Sequence, residues 1–271
     1  MAEKNYETIL AQTENSVTTI TLNRPEKRNA MSPQMHRDMS ALLAELRYDD
    51  ETRVIVITGA GESFCAGQDL NEYFTELDKA PASERDEIKR LSGWRGDGIR
   101  NMPKPVVAMV NGWCFGGAFT IVTSCDIVIS DQKAIFGLSE INWGFFPGGE
   151  VTKVLTEHLQ PKHALYYSLT GKSFDGKEAE RIGLVTKAVP KSELEKETQE
   201  VVDSLLEKDP LGLQAVKELW HNSLTAPSPV AHKLSMTMAA NLKNKQGGTP
   251  GIDQFADKKY RPGLDSYKWK K

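Results

Sequence analysis

Apolar residues fall along this chain in short blocks of two kinds. Val54-Ile-Val-Ile57 and Val106-Val-Ala-Met-Val110 are continuous runs, too short for helices and suited to strands buried on both faces. Tyr6 to Ala11 and Val17 to Leu22 instead alternate apolar with polar or Thr residues around Asn15-Ser16, which predicts a hairpin. Ser32-Pro33 supplies an N-cap and a proline at the first helical position. The helix that follows places Met35, Met39, Leu42, Leu43 and Leu46 on one face and ends near Asp49. Ala118 to Ser124 is apolar nearly all round, so a helix there is surrounded by protein, and Asp126 to Ile129 reads as a further strand. Glu150 to Thr170 and Gly176 to Ile182 are helical in pattern, with Gly183 suited to end the second, and Val185 to Val189 is a strand stopped by Pro190. Strands alternating with helices argue for an α/β core. The last 70 or so residues are mostly helical. Leu194, Val201, Val202, Leu205 and Leu206 form one stripe and Leu211 to Leu219 another. A third helix between Pro229 and Leu242 carries Leu234, Met236, Met238, Ala239 and Ala240. That methionine-rich face does not close on itself.

The junctions between blocks carry the candidate chemistry. The strand at 106–110 runs through Asn111-Gly-Trp-Cys-Phe-Gly-Gly117 into the buried helix. Such a turn presents unpaired N–H groups at the positive end of a helix, and glycines let a ligand approach them. The same glycines would also serve a tight strand-to-helix turn with no ligand. A second strand, 54–57, leads through Thr58-Gly-Ala-Gly61 into Phe64-Cys-Ala-Gly-Gln-Asp-Leu70, where Gln68 offers another N–H. Two such turns from neighbouring strands could pinch one oxygen atom. Residues 71–101 are charged, with a helical pattern interrupted by Pro81, Gly93, Gly96 and Gly98, and read either as a mobile lid or as solvated surface helices.

Charge and cysteine content narrow the function classes. With 34 Lys+Arg against 37 Asp+Glu the chain carries a formal charge of −3, and no basic stripe suggests nucleic-acid or membrane binding. Cys65, Cys114 and Cys125 have no metal-ligand spacing and read as small buried residues of a reducing compartment; no metal site is expected. No run approaches a membrane span. The start is too polar for a secretory signal, and the end is not a peroxisomal tripeptide, so the cytoplasm is the expected location.

Four stretches, in order, resemble the motifs of the enoyl-CoA hydratase/isomerase (crotonase) superfamily: Leu22-Asn-Arg-Pro-Glu-Lys-Arg-Asn-Ala30, Phe64 to Leu70, Asn111 to Gly117, and Phe136-Gly-Leu-Ser-Glu140. The match covers most of residues 5–200. Within that family, residues 24–33, 111–119, 137–144 and Arg261-Pro-Gly-Leu-Asp-Ser-Tyr267 look most like 4-hydroxycinnamoyl-CoA (feruloyl-CoA) hydratase-lyases. The resemblance implies a spiral of stacked ββα units over residues 1–200 and a C-terminal helical trimerisation region over 201–271. It also implies assembly as a homotrimer or a dimer of trimers. The implied substrate is an acyl-CoA thioester, so coenzyme A belongs to the substrate and no separate cofactor is expected.

Site roles follow from the same resemblance. The backbone N–H groups of Gln68 and Gly117 would hold the thioester enolate oxygen; the Gln68 side chain is then expected to tolerate change, and Gly117 is not. Glu140 would be the general acid/base, its carboxyl raised by neighbouring apolar groups. Thr120, expected in the catalytic set as a hydroxyl beside Glu140, stands where ordinary hydratases carry a second glutamate, which disfavours a plain crotonyl hydratase and leaves two readings, hydratase-lyase and aliphatic enoyl-CoA isomerase or hydratase. A non-catalytic RNA-binding member of the fold is a third, remote reading. Tyr73 matches a tyrosine that contacts the substrate phenol, though it also reads as a packed lid aromatic; Trp113, Trp143 and Phe146 are expected around the acyl group. Lys27, Arg28 and Ala30 match the loop that clasps the nucleotide, and Ala66, Asp69 and Leu70 the adenine and pantetheine path. Three features depart from the lyases: Gln68 replaces a methionine, Phe145-Phe146-Pro147 replaces Ile-Pro-Pro, and His232-Lys-Leu-Ser-Met-Thr-Met238 lacks a tyrosine-rich segment for which Tyr260 is no assured substitute.

Overall fold

The structure, a computed structural model, describes residues 6–249 and 252–253; Tyr260 and the 261–267 motif lie outside them. The 9–22 segment forms the expected antiparallel hairpin, β1 (Ile9–Glu14) and β2 (Val17–Leu22). It opens a sheet continued by β3 (Val54–Gly59), β5 (Val106–Val110), β7 (Ile127–Asp131) and β10 (Lys187–Val189), in the order β1-β2-β3-β5-β7-β10. From β2 onward every neighbour is parallel. The unbroken apolar runs are explained by burial on both faces. Ile55 and Ile57 of β3, with Val106 and Ala108 of β5, point into the main core. The alternate residues Val54, Val56 and Val107 pack with Val202 of α8 (Leu194–Leu206) on the other side. Helix α8 therefore belongs to this sheet's packing, and it spans the 200/201 position at which the sequence divides core from C-terminal region.

The sequence pattern gave no sign of a second sheet. Strands β4 (Ser63–Cys65), β6 (Trp113–Phe115), β8 (Ile135–Gly137) and β9 (Phe174–Asp175) pair in the order β4-β6-β8-β9. Each of the first three directly follows a long strand of the first sheet, so the chain repeats long strand, short strand, helix. This is the expected spiral of ββα units. Strands β4, β6 and β8 run parallel, with Cys65 beside Cys114 and Cys114 beside Phe136. Their carboxyl ends consequently open on one place, the usual position for a ligand on parallel strands.

Helices close the layers. In α1 (Pro33–Leu46), Ser32 accepts the Met35 N–H as N-cap, and Met35, Met39, Leu42, Leu43 and Leu46 are buried as expected. The charged stretch forms a π-helical turn over Leu70–Glu76, α2 (Ala82–Leu91), a 3-10 turn over Ser92–Arg95 and the short α3 (Asp97–Arg100). The central helix α4 (Ala118–Ser124) is buried at every residue. Helices α5 (Val151–His158), α6 (Pro161–Thr170) and α7 (Gly176–Arg181) follow, and Gly183 takes the positive φ (83°) that ends the last of them. After α8, α9 (Pro210–Ser223) and α10 (Ser228–Lys245) pack on each other, and α10 has no buried residue.

One buried ion pair fastens this arrangement. Asp126, just after α4, accepts the Val106 N–H of β5 (2.7 Å) and the Lys217 ammonium of α9 (2.7 Å); Lys217 also donates to Lys104 O (3.2 Å). Burial raises the Asp126 carboxyl and lowers the Lys217 ammonium from their ordinary values, so each depends on its partner to stay charged. Lys217→Met should lower unfolding stability by about 3–5 kcal/mol in urea titrations, and adding Asp126→Asn should recover much of the loss.

Candidate active site

Two stretches of backbone meet where β4 and β6 end. A Cβ on Gly67 would stand 2.8 Å from Phe115 O and 3.4 Å from Gly117 N, and the Gly67 φ is +91°. Only glycine satisfies both conditions, and its absence of a side chain brings the Gln68 turn against the start of α4. Met31 N donates to Gly67 O (2.8 Å) and Asp69 N to Met31 O (2.9 Å), so the turn is pinned on both sides of Gln68. Among the described residues, the N–H groups of Gln68 and Gly117 have no acceptor in the protein. They are the two free donors that the sequence places here.

Glu140 faces them from the 3-10 turn Ser139–Trp143, which follows β8. Its Oε1 lies 2.8 Å from where a Gly116 Cβ would be, and Oε2 is buried without a partner. Desolvation raises its carboxyl above the ordinary glutamate value, opposed only by its own backbone N–H. A carboxyl in that state exchanges protons nearer neutral pH.

These groups line a cavity of about 380 Å³, together with Ala66, Leu70, Tyr73, Trp143 and Phe146 of the expected set. Phe74, Phe115 and Phe145 complete an aromatic wall in which Trp143, Phe145 and Phe146 stack in series, with centroids 5.8 and 4.9 Å apart. Trp143 and Phe146 are half or more exposed, so this wall stands at the mouth.

Other expected residues lie elsewhere. Thr120 is fully buried within α4, its hydroxyl unpartnered, and does not line the cavity. Trp113 is outside it, stacked on Phe115 (5.4 Å) beneath the Arg28 guanidinium (4.8 Å). Lys27 and Arg28 are exposed at the end of the 3-10 turn Pro25–Lys27, and Ala30 is buried. Asp69 is committed to structure rather than to a ligand. It caps the Asn71 and Glu72 N–H groups and pairs with Arg24 (3.1 Å), which also reaches Glu72 (2.5 Å) and Ala30 O (2.7 Å). Burial pushes the Asp69 carboxyl up, but hydrogen bonds from Glu72 N–H and Arg24 bring it below the ordinary value. Arg24 thereby ties the 24–31 loop to the Gln68 turn, a role its place in the motif did not disclose.

The Gln68 side chain corrects the expectation that it is free to vary. Trp94 Nε1–H donates to His36 Nδ1 (3.0 Å), which leaves Nε2–H of the neutral ring to donate to Gln68 Oε1 (2.9 Å). Burial, with the nearby Arg95 charge, drives the His36 pKa down to about 3. Neither His36 nor Arg95, whose side chain also lines the cavity, stood out in the sequence. One sat among helical core positions and the other in a charged segment read either as a lid or as solvated surface.

Two outcomes are expected. Gln68→Leu strands the His36 N–H and should cost roughly 1–3 kcal/mol of unfolding free energy. A depressed folded pKa makes the His36 contribution to stability complete above pH 6.5 and progressively lost as pH falls toward 3. Urea midpoints measured from pH 7 to pH 5 should therefore fall more steeply in the wild type than in His36→Gln.

Known proteins are similar to this chain in fold and sequence. The enoyl-CoA hydratase/isomerase family model matches residues 12–262. A hydroxycinnamoyl-CoA hydratase-lyase of Pseudomonas fluorescens is 41% identical over 98% of each chain. An (E)-benzylidenesuccinyl-CoA hydratase of Thauera aromatica is 32% identical, covering 78% of this chain and 80% of its own. Among solved structures, an enoyl-CoA hydratase subunit of Geobacillus kaustophilus superposes with a TM-score of 0.85 at 30% identity, covering 97% of this chain and all of its own. Matched along nearly its whole length, with paired strand ends opening on one cavity, the chain belongs to the enoyl-CoA hydratase/isomerase family and has the crotonase fold.

Proposed function

We propose that this enzyme is a hydratase-lyase that converts 4-hydroxycinnamoyl-CoA thioesters, such as feruloyl- or 4-coumaroyl-CoA, to an aromatic aldehyde and acetyl-CoA. The observation that carries the reading is a single desolvated carboxyl, Glu140, facing two free N–H donors inside a cavity walled by aromatic rings. The likeness to the Pseudomonas fluorescens hydratase-lyase supports it.

In this scheme the thioester oxygen sits between the Gln68 and Gly117 N–H groups. Ionised Glu140 takes a proton from water as the hydroxyl adds to Cβ, and the electrons of the double bond move onto the thioester oxygen as an enolate. Glu140 returns its proton to Cα, which completes the β-hydroxyacyl thioester. It then removes the β-hydroxyl proton, the Cα–Cβ bond breaks, and its electron pair forms the acetyl-CoA enolate in the same two-donor hole. Reprotonation at Cα by Glu140 releases acetyl-CoA and leaves the aldehyde. Each donor is worth roughly 3 kcal/mol of enolate stabilisation. Trp143, Phe146 and Tyr73 would surround the aryl ring, Lys27 and Arg28 would meet the CoA phosphates, and coenzyme A enters as part of the substrate with no other cofactor in the scheme. Assembly as a trimer or dimer of trimers, through the exposed Val216, Trp220, Val230 and Met236 of α9 and α10, and a cytoplasmic location belong to the same proposal.

Incubation with feruloyl-CoA, following thioester loss and aldehyde appearance together, is the test. Vanillin and acetyl-CoA should form in equal amounts, with the rate lowered about 10²–10⁴-fold in Glu140→Gln. Thioester loss without aldehyde would mean a hydratase that stops at the β-hydroxy stage. No consumption would overturn the aromatic reading in favour of aliphatic enoyl-CoA substrates. Because Glu140 must be ionised to act as base and its pKa is raised, the acid limb of kcat/KM should lie above pH 4.5 and vanish in Glu140→Gln.

A further inference from the structure

Beside the two free N–H donors stands a cation that the mechanism above does not use. The Arg95 side chain lines the cavity, and its Nη1 lies 2.9 Å from the point where a Gly117 Cβ would be. Standard backbone dimensions then put Nη1 within about 5.5 Å of the Gly117 nitrogen. The same point lies 3.7 Å from Gln68 Cγ, so the charge adjoins both residues that offer donors. Arg95 is anchored through Nε to Ser92 O (3.0 Å). Among the described residues, its terminal nitrogens have no protein acceptor and no carboxylate stands within ion-pair distance. Desolvation opposes the charge, and the groups that favour it are Tyr73, Glu150 and Cys65. A guanidinium stays protonated even so. A half-buried cation directed into a cavity without a counter-ion is completed by an anion that the ligand brings.

The geometry assigns Arg95 to the thioester enolate: its positive charge lies beside the hole and stabilises the oxygen that becomes negative when Cα carries the electron pair. This rests on the reading that an acyl-CoA thioester occupies the Gln68/Gly117 donors. It adds to that reading a charged contributor, where backbone dipoles were the only ones. A full charge in a water-poor site acts more strongly on a developing anion than on the neutral thioester, so its effect falls on the reaction step more than on substrate binding.

Acetoacetyl-CoA is the probe, because it loses a C2 proton to solvent without turnover and its enolate is visible in the near ultraviolet. Its bound pKa would be read by spectrophotometric titration from pH 6 to 9 in wild type, Arg95→Met and Arg95→Lys, with circular dichroism and gel filtration as checks on folding. The titratable groups facing Arg95 are Tyr73, Glu150, His36 and Cys65, and the pKa values of the last two, about 3 and about 12, lie outside that range. Repeating the titration in Glu140→Gln removes the remaining carboxyl of the hole. Wild type should bind the enolate preferentially. Arg95→Met should lower the enolate-to-keto ratio at fixed pH about tenfold, and Arg95→Lys should restore most of it.

An unchanged enolate pKa in a folded Arg95→Met would overturn the assignment. So would a loss confined to the affinity for a carboxylated ester such as succinyl-CoA, which would make Arg95 a receptor for an acidic acyl group. Failure of acetoacetyl-CoA to bind the wild type at all would instead strike the acyl-CoA reading of the cavity.

Discussion

Everything in the site depends on two pieces of backbone lying closer than side chains permit. Gly67 packs its Cα against the Phe115 carbonyl, and this contact sets the Gln68 N–H beside the Gly117 N–H. Two donors left unpaired inside a protein are costly, and a flexible turn would rotate them toward the nearest carbonyl. Here they are held in place from several directions. Strand β4 pairs with β6 up to the residue before the turn, Met31 brackets Gln68, and Arg24 joins the 24–31 loop to Asp69. The neighbouring carbonyls of Gly67 and Met31 already accept other N–H groups, which helps to leave the donors free.

The charges follow the same logic. Glu140 lies near Gly116 and Arg95 near Gly117, and the two do not form an ion pair. Had they met, the carboxyl would be held below its ordinary value and the cation neutralised. Kept apart, Glu140 is governed by desolvation, which raises its carboxyl above the ordinary glutamate value, and Arg95 keeps its field. A side chain at either glycine would enter the space of one or the other, which gives both positions a reason for glycine beyond the turn itself.

The sequence shows the long strands and α1 because each carries several residues of one periodicity. It could not show β4, β6 and β8. At three residues they have no period to read, and they exist because the neighbouring strand supplies register. The two glycine turns were legible as candidate donors from the strand-to-turn pattern, but a ligand-free turn read equally well, and the resemblance was needed to choose between them and to single out Glu140. Thr120 shows the limit of reading by offset: three residues past Gly117 on a helix buried all round, its hydroxyl turns into the core instead of the cavity. His36 shows another. Its partner Trp94 is 58 positions away, and nothing near either residue announces the bond.

Trp94 and Arg95 are adjacent on one short turn, Ser92–Arg95, and each reaches the site by a separate route. Trp94 fixes the His36 tautomer, and through it the Gln68 side chain. Arg95, anchored on Ser92 O, sets a charge beside Gly117. The turn packs against α1, α3 and α4 as well as against α2, which precedes it, so the core takes part in setting its position. One element thus governs both the orientation of a donor and the field acting on the oxygen that donor binds. A shift of that turn would alter the two together, and this coupling is a physical reason for a segment that reads as lid or solvated surface to be built into the wall of the cavity.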